Sequence, residues 1–410
     1  MSKTYVVIGA NYGDEGKGRC VRFIADKERK AGVDTKDILV IKHNGGAQAG
    51  HTSRGFVHHT LGSGDCDTYL SPEFIFNPMA LESELMQYAI KKQMIYRHKI
   101  YVNENCRVTT PIDILMNHII EVVRGGKKHG SCGMGIYSTI TRDKSVKIPV
   151  YKVYNAAVSG NDKLKHELIE KLIIHYEGYV HAIRFIPEQF QDLDLERMME
   201  DFFDCAKKVL TDPTIQIISN NGEFRLLNEK KVVIFETGQG LMLDEENEES
   251  FPHVTPSHTN HINPVNIINR ARLGRNDTTV VYCTRTYMTK HGAGKINAIP
   301  LPEDIIEKYN LRELDKTNVP NQWQDSIRYF YLPLYRMLDR VEEDFNQFMK
   351  KVFWLDEEDK CGITLERKFF ITWADVTTEI IGFPISLERL IRAKDVLNYE
   401  EEIEGGQYAL

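Results

Sequence analysis

GANYGDEGKGR, residues 9–19, directly follows the apolar run 5–8 and precedes a stretch that reads as a helix. A strand, a glycine-rich turn and a helix start in that order make a phosphate cradle. Glycines at 9, 13, 16 and 18 let backbone N–H groups close on an anion, and the positive end of the helix reinforces the attraction. Lys17 supplies a mobile point charge. The spacing departs from the standard P-loop, G-x-x-x-x-G-K-S/T, because Gly18 stands where a metal-binding hydroxyl belongs. What sharpens the reading is the acidic pair Asp14-Glu15 inside the loop. A carboxylate beside bound phosphate repels it unless it holds a metal or moves a proton.

Working outward, short apolar runs recur at 5–8, 38–41, 232–235, 279–282 and 369–371, each ending at a glycine-rich or polar motif. Buried strands of an α/β sheet read this way, with ligand groups gathered at their carboxyl ends. Residues 78–92, 113–124 and 162–176 carry apolar side chains at helical spacing. The expected fold is therefore α/β: a large, mostly parallel central sheet with covering helices and a P-loop-like first loop. Residues 155–229 read as a helical insertion within a single domain spanning 1–410, closed by a hairpin at Asn220-Asn221-Gly222. The acidic run 244–249 reads as a solvated loop.

A net charge of −7 without a long basic stretch argues against a nucleic-acid-coating surface and leaves room for a local phosphate pocket. Seven scattered cysteines without a C-x-x-C pair read as free thiols in a reducing compartment. No charged-then-apolar leader opens the chain and no run of ~20 apolar residues appears. The expectation is a soluble, cytoplasmic protein, in the host cytoplasm if viral, with small-molecule substrates and neither nucleic-acid nor membrane partners.

A second glycine-rich segment, NGGAQAGHT at 44–52, follows the 38–41 strand, so its glycines allow close backbone approach and His51 lies on the same sheet edge as Asp14. GDEGKG followed by NGGAQAGHT resembles the adenylosuccinate synthetase family. FETGQGLMLD at 235–244, HVTPSHT at 253–259 and TKHGAG at 289–294 resemble later blocks of that family in the same order.

The resemblance implies a ligase that joins L-aspartate to C6 of a purine nucleoside monophosphate through a 6-phosphoryl intermediate, with magnesium as cofactor and a homodimer as the assembly. The aspartate matching Asp14 takes the N1 proton of IMP and binds magnesium, with Gly50 as a further metal contact. The histidine matching His51 stabilises the transferring phosphoryl group, and Lys17 adds charge. Gly13, Glu15, Gly16, Gly18, Gly50 and Thr52 fall to the nucleoside triphosphate; Gln48, Ser131, Cys132, Gln239 and Thr255 fall to the monophosphate. Arg142 has two readings: an arginine lent across a dimer interface to the neighbour's monophosphate, or a solvated surface residue.

Two stretches depart from the family pattern. Where the aspartate-binding loop should carry successive arginines, the chain reads TNVPNQWQDSIRYF, leaving Arg328 with Asn318, Asn321 and Gln324 to hold the amino acid. Guanidinium is the natural bidentate grip for carboxylate. At 372–375, TWAD replaces a guanine-reading T-K-x-D-like motif. Asp375 can still accept from guanine, but Trp373 replaces the lysine that covers the base; it either stacks on any purine or packs in the core. The donor is thus GTP or ATP. Viral relatives that use dGMP share such drift but replace the loop aspartate by a small residue, so Asp14 favours IMP over dGMP as acceptor.

Overall fold

The computed structural model describes residues 2–125, 131–314, 327–352 and 364–372. Its centre is an eight-stranded sheet, parallel throughout. Across the sheet the strands run Leu365–Thr372, Asp277–Arg285, Lys3–Gly9, Val232–Glu236, Ile38–Lys42, Asp67–Leu70, Ile100–Asn103 and Ile215–Ile218. The five apolar runs of the sequence are five of these strands.

Alternation along each strand sends side chains to two different cores. Tyr5, Val7, Ile38, Val40, Ile234 and Val281 meet Cys20, Val21, Ile24 and Ala25 of the helix Lys17–Lys30. On the other face, Val6, Ile8, Leu39, Ile41, Phe235 and Tyr282 pack with residues of Asn220–Glu229, Ile262–Ala271 and Leu334–Val352. A further core joins the helices Pro78–Lys92, Pro111–Arg124, Val150–Ala157, Asp162–Ile183 and Leu195–Leu210. These burials supply the apolar driving force that covers both faces of a parallel sheet.

The expected hairpin at residues 220–222 is not formed. Ser219 caps a helix there, its side chain accepting from Gly222 N–H at 3.2 Å, and Leu226 and Leu227 bury against the sheet. A serine cap and apolar residues at helical spacing outweigh the local Asn-Gly turn signal. The preceding Ile215–Ile218 is a parallel edge strand, so residues 155–229 also extend the sheet. Residue Asp244 of the expected solvated acidic loop is buried, accepting from Thr259 N–H at 2.6 Å.

Six cysteines are free thiols among the described residues, and no described helix is long and apolar enough to cross a membrane. The strand Lys3–Gly9 lies between two strands that come much later in the chain, Val232–Glu236 and Asp277–Arg285. Its carboxyl end therefore opens into the kind of crevice where parallel sheets bind ligands.

Candidate active site

The loop that leaves Gly9 is wound tightly around Glu15. The Glu15 carboxylate accepts from the N–H groups of Asn11 at 3.0 Å and Gly13 at 2.8 Å, and from Lys17 Nζ at 3.0 Å. Glu15 and Lys17 are both buried. Two donors of the expected anion cradle, and its lysine, are thus occupied by the chain's own carboxylate.

Asp14 stands apart from this internal pairing. It adopts a left-handed backbone, φ 62°, and its partly exposed side chain reaches His291, with Oδ2 3.1 Å from Nε2. Arg285 donates from Nε to the Asp14 carbonyl. Burial alone would raise the Asp14 carboxyl, but the hydrogen bond and charge of His291, with Arg285 and Lys17, bring it down to about 2. The group is an ionised carboxylate at neutral pH, a state that suits both a hard metal and an incoming proton. Gly50, the other residue expected at the metal, is exposed.

Gly16 and Gly18 have steric jobs. A Cβ at Gly16, which caps the helix at φ 82°, would lie 2.5 Å from Thr372 Cγ2. One at Gly18 would lie 2.9 Å from His51 Cβ and 3.0 Å from Ser63 Oγ. The absent hydroxyl of a standard P-loop is therefore the condition for bringing the first helix against the second motif.

His51 itself is buried, its Nδ1 2.5 Å from Glu236 Oε1. Glu236 is completely buried and also accepts from Ser63 N–H at 3.0 Å and Ser63 Oγ at 2.5 Å, with Lys42 Nζ at 3.8 Å. Burial, aided by the charge of Lys42 and opposed by Glu236, lowers the His51 ring to about 4. Burial would raise the Glu236 carboxyl, but Lys42, His51 and Ser63 hold it below the usual range. The arrangement that results is a neutral imidazole donating through Nδ1 to an ionised glutamate, with Nε2 as the ring's remaining acceptor.

The motif at 44–52 is joined to its neighbours by amides. Asn44 pairs twice with Gly238, through Oδ1 at 2.7 Å and Nδ2 at 3.2 Å, and Ser257 Oγ accepts from Gly45 N–H at 3.1 Å. A Cβ on Gly45 would lie 2.5 Å from Gln48 Nε2 and 3.5 Å from Gln239 Oε1; one on Gly46 would meet Ile136. Gln48, Gln239 and the start of the helix Ile136–Asp143 thus converge. Both ends of the Gln48 amide and Oε1 of Gln239 are buried without a hydrogen-bond partner among the described residues.

Next to them, Asn117 donates to Ser131 Oγ at 2.9 Å and accepts from Gly135 N–H at 3.0 Å, fixing the 131–135 turn. Burial pushes the neighbouring Cys132 thiol up to about 11. Thr255 contributes its backbone, donating to Leu243 O at 2.8 Å, and it is Ser257 that touches the 44–52 segment. Thr52 belongs to the short strand His51–Ser53, beside the first helix.

Arg142 is not a solvated surface residue. It is completely buried, bonding Asp113 through Nε at 3.0 Å and Nη2 at 3.0 Å and the carbonyls of Val108 and Val146. Asp113 forms the capping box of the helix Pro111–Arg124, so a carboxylate sealed in the core calls for this cation. Its guanidinium is thus engaged within the protomer.

Arg328 lies on the strand Arg328–Tyr331, antiparallel to Tyr287–Lys290, and its Nη2 donates to the carbonyls of Gly292 at 2.6 Å and Gly294 at 3.1 Å. Asn318, Asn321, Gln324, Trp373 and Asp375 lie outside the described residues. Glu236, Ser63, His291, Asn44 and Ser257 belong to the site although the sequence reading did not single them out. For Glu236 and Lys42 a signal existed: each is a charged residue closing an otherwise apolar strand, and the two are register partners.

Comparison with known proteins supplies the family. A family model described as adenylosuccinate synthetase matches residues 6–310. The chain is 27% identical over 267 residues to the adenylosuccinate synthetase of Pelodictyon phaeoclathratiforme, covering 62% of this chain and 55% of that one. It is 25% identical over 330 residues to that of Synechocystis sp., covering 77% and 66%. The match thus spans little more than half the length of the first of these relatives.

Among solved structures, the fully ligated adenylosuccinate synthetase from Plasmodium falciparum superposes with a TM-score of 0.61 at 22% identity, covering 82% of this chain and 73% of that one. The succinoaminodeoxyadenylate synthetase of cyanophage S-2L, bound to dGMP and to dATP as an energy donor, superposes with a TM-score of 0.57 at 14% identity, covering 97% and 91%. Those two likenesses establish the fold. With the family model running from the first strand past the TKHGAG segment, the chain belongs to the adenylosuccinate synthetase family.

Proposed function

We propose that the chain is a synthetase that joins L-aspartate to C6 of IMP, using GTP or ATP to activate the 6-oxygen. The observation that carries this reading is Asp14, an ionised carboxylate in the first loop held by His291 and Arg285; a neutral His51 set by Glu236 packs against the helix that this loop starts. In this reading Asp14 removes the N1 proton of the purine, and the 6-oxygen attacks the γ-phosphorus of the donor. His51, through Nε2, and Lys17 stabilise charge on the phosphoryl group in transit. The amine of aspartate then displaces phosphate from C6. Magnesium, held by Asp14 and the Gly50 backbone, would supply charge neutralisation to the donor phosphates. The unpartnered amides of Gln48 and Gln239 flank the monophosphate, with Ser131 and the N-terminus of Ile136–Asp143 nearby.

Use of dGMP is the second reading, favoured by the near-complete length correspondence with the cyanophage fold. Retention of Asp14 weighs toward IMP. A mass-spectrometric assay crosses IMP and dGMP with GTP and ATP, each with and without aspartate. The expected result is aspartate-dependent phosphate release and a succinylated product from IMP. Product from dGMP alone would transfer the assignment to the second reading, and phosphate release indifferent to aspartate would make the protein a nucleotide hydrolase.

A further inference from the structure

L-Aspartate brings two carboxylates to the site, and Arg328 already spends Nη2 on the carbonyls of Gly292 and Gly294. A second cation close to the first loop comes from an element that the sequence reading left unused. Arg340, on the helix Leu334–Val352, donates from Nη2 to Asn11 Oδ1 at 3.3 Å. Its Nε is buried and meets no acceptor among the described residues. It forms no direct ion pair with a described residue, although the charges of Glu249 and Asp339 act on it, Glu249 lying 3.9 Å from the neighbouring Arg336.

Around the same point stand other positive groups. Lys290 Nζ lies 5.4 Å from the centroid of the Tyr12 ring, and Lys290 and Arg328 are register partners on their antiparallel strands. Tyr12 feels the charges of both Arg340 and Arg328. Burial lowers the Arg340 guanidinium below its ordinary value, and burial with the charge of Arg328 lowers Lys290 to about 8. Cations withdrawn from water and facing neutral acceptors gain most from an arriving anion.

The direction of approach separates this group from the phosphate loop. The helix Lys17–Lys30 packs on one face of the sheet, whereas Leu334–Val352 packs on the other. Lys17 is turned to Glu15, and Arg340 reaches Asn11 from the opposite side. We propose that Arg340 is a carboxylate grip for the amino-acid substrate, working beside Arg328 and Lys290 and replacing arginines absent from the 317–330 segment. The inference rests on the synthetase reading above.

The test compares wild type, Arg340→Gln and Arg340→Lys by steady-state kinetics, varying aspartate, monophosphate and triphosphate in turn. For Arg340→Gln the aspartate KM rises on the order of 10–100-fold, as for loss of a charge-assisted hydrogen bond, while both nucleotide KM values stay within about twofold. Arg340→Lys recovers part of the loss, because it keeps the charge without the fork. A rise confined to the triphosphate KM, or a fall in kcat with all three KM values unchanged, overturns the proposal. If Arg340→Gln does not fold, thermal midpoints of wild type and Arg340→Lys with and without 10 mM aspartate (about that concentration) carry the test: an equal shift in both overturns it. Wild-type phosphate release that ignores aspartate defeats the synthetase reading itself. Aspartate-dependent wild-type turnover with an unaltered aspartate KM in Arg340→Gln defeats only the grip.

Discussion

The two sides of the crevice treat charge in opposite ways. Around the first loop and His51 the cations meet internal carboxylates: Lys17 lies on Glu15, and Lys42 and His51 lie on Glu236. On the Leu334–Val352 side, Lys290 donates to the Ala293 carbonyl at 2.8 Å and Arg340 to the Asn11 amide. Neither has a carboxylate partner among the described residues. The first side is electrostatically complete before any ligand arrives, which suits a centre that must stabilise a fleeting charge without reorganising. The second side has no direct ion pair at Lys290 or Arg340 among the described residues, which suits recognition of an anion.

The largest test of the complete side removes its partly exposed acid. Asp14→Ala should lower turnover by on the order of 10²–10⁴-fold while both nucleotides still bind, since the backbone cradle remains. Quantifying succinylated product alongside nucleotide binding checks it. Turnover within a few-fold of wild type would remove Asp14 from the proposed chemistry.

The same side should also be fragile to acid. Burial lowers the rings of His43 and His58 to about 3, far below their value in an unfolded chain. The unfolded state then binds more protons, so stability is full above pH ~6.5 and is lost as pH falls toward the folded pKa. At pH ~5 the loss is about 2 kcal/mol for each ring, read as a drop in the urea midpoint. A midpoint unchanged between pH ~7.5 and 5 would show that these rings take up protons in the native protein as readily as in the unfolded chain.

A finer cut separates positioning from binding. Glu236→Gln keeps the shape but releases the His51 ring from its ionised partner, and kcat should fall on the order of 10–100-fold with all three KM values little changed. His51→Asn should fall at least as far. A loss that appears only in KM would place the dyad in ground-state binding instead.

The smallest effect concerns the donor. With Trp373 where a lysine would cover guanine, ATP should match GTP in kcat/KM to within about tenfold, a difference of ~1.4 kcal/mol. A GTP preference above roughly a hundredfold would show guanine to be read in full.

The sequence disclosed the strands made of continuous apolar residues and concealed those that carry polar ones. Asp67–Leu70 and Ile100–Asn103 were missed because Asp67 and Asn103 break the apolar run. In the structure Asp67 pairs with Lys230 at 2.8 Å, and Asn103 donates to Tyr69 at 3.0 Å. Those partners are 163 and 34 residues away, beyond any local pattern. The same limit applied to the site. Asp14, Lys17 and His51 were visible inside glycine motifs, whereas Arg340 lies in an amphipathic helix where nothing local marks it. Arg142 shows the converse, a residue noticed for its place near a motif and claimed by Asp113 across 29 positions.

Gly18 bears on how nucleotide loops can be exchanged in evolution. A single change to serine would restore the standard magnesium-binding hydroxyl on paper, yet its Cβ would arrive 2.9 Å from His51 Cβ and 3.2 Å from the Thr52 carbonyl. Room for it would require moving the very strand that carries His51. The two loop designs, though one residue apart in spelling, therefore differ by a displacement of the strand His51–Ser53 as well as by a side chain.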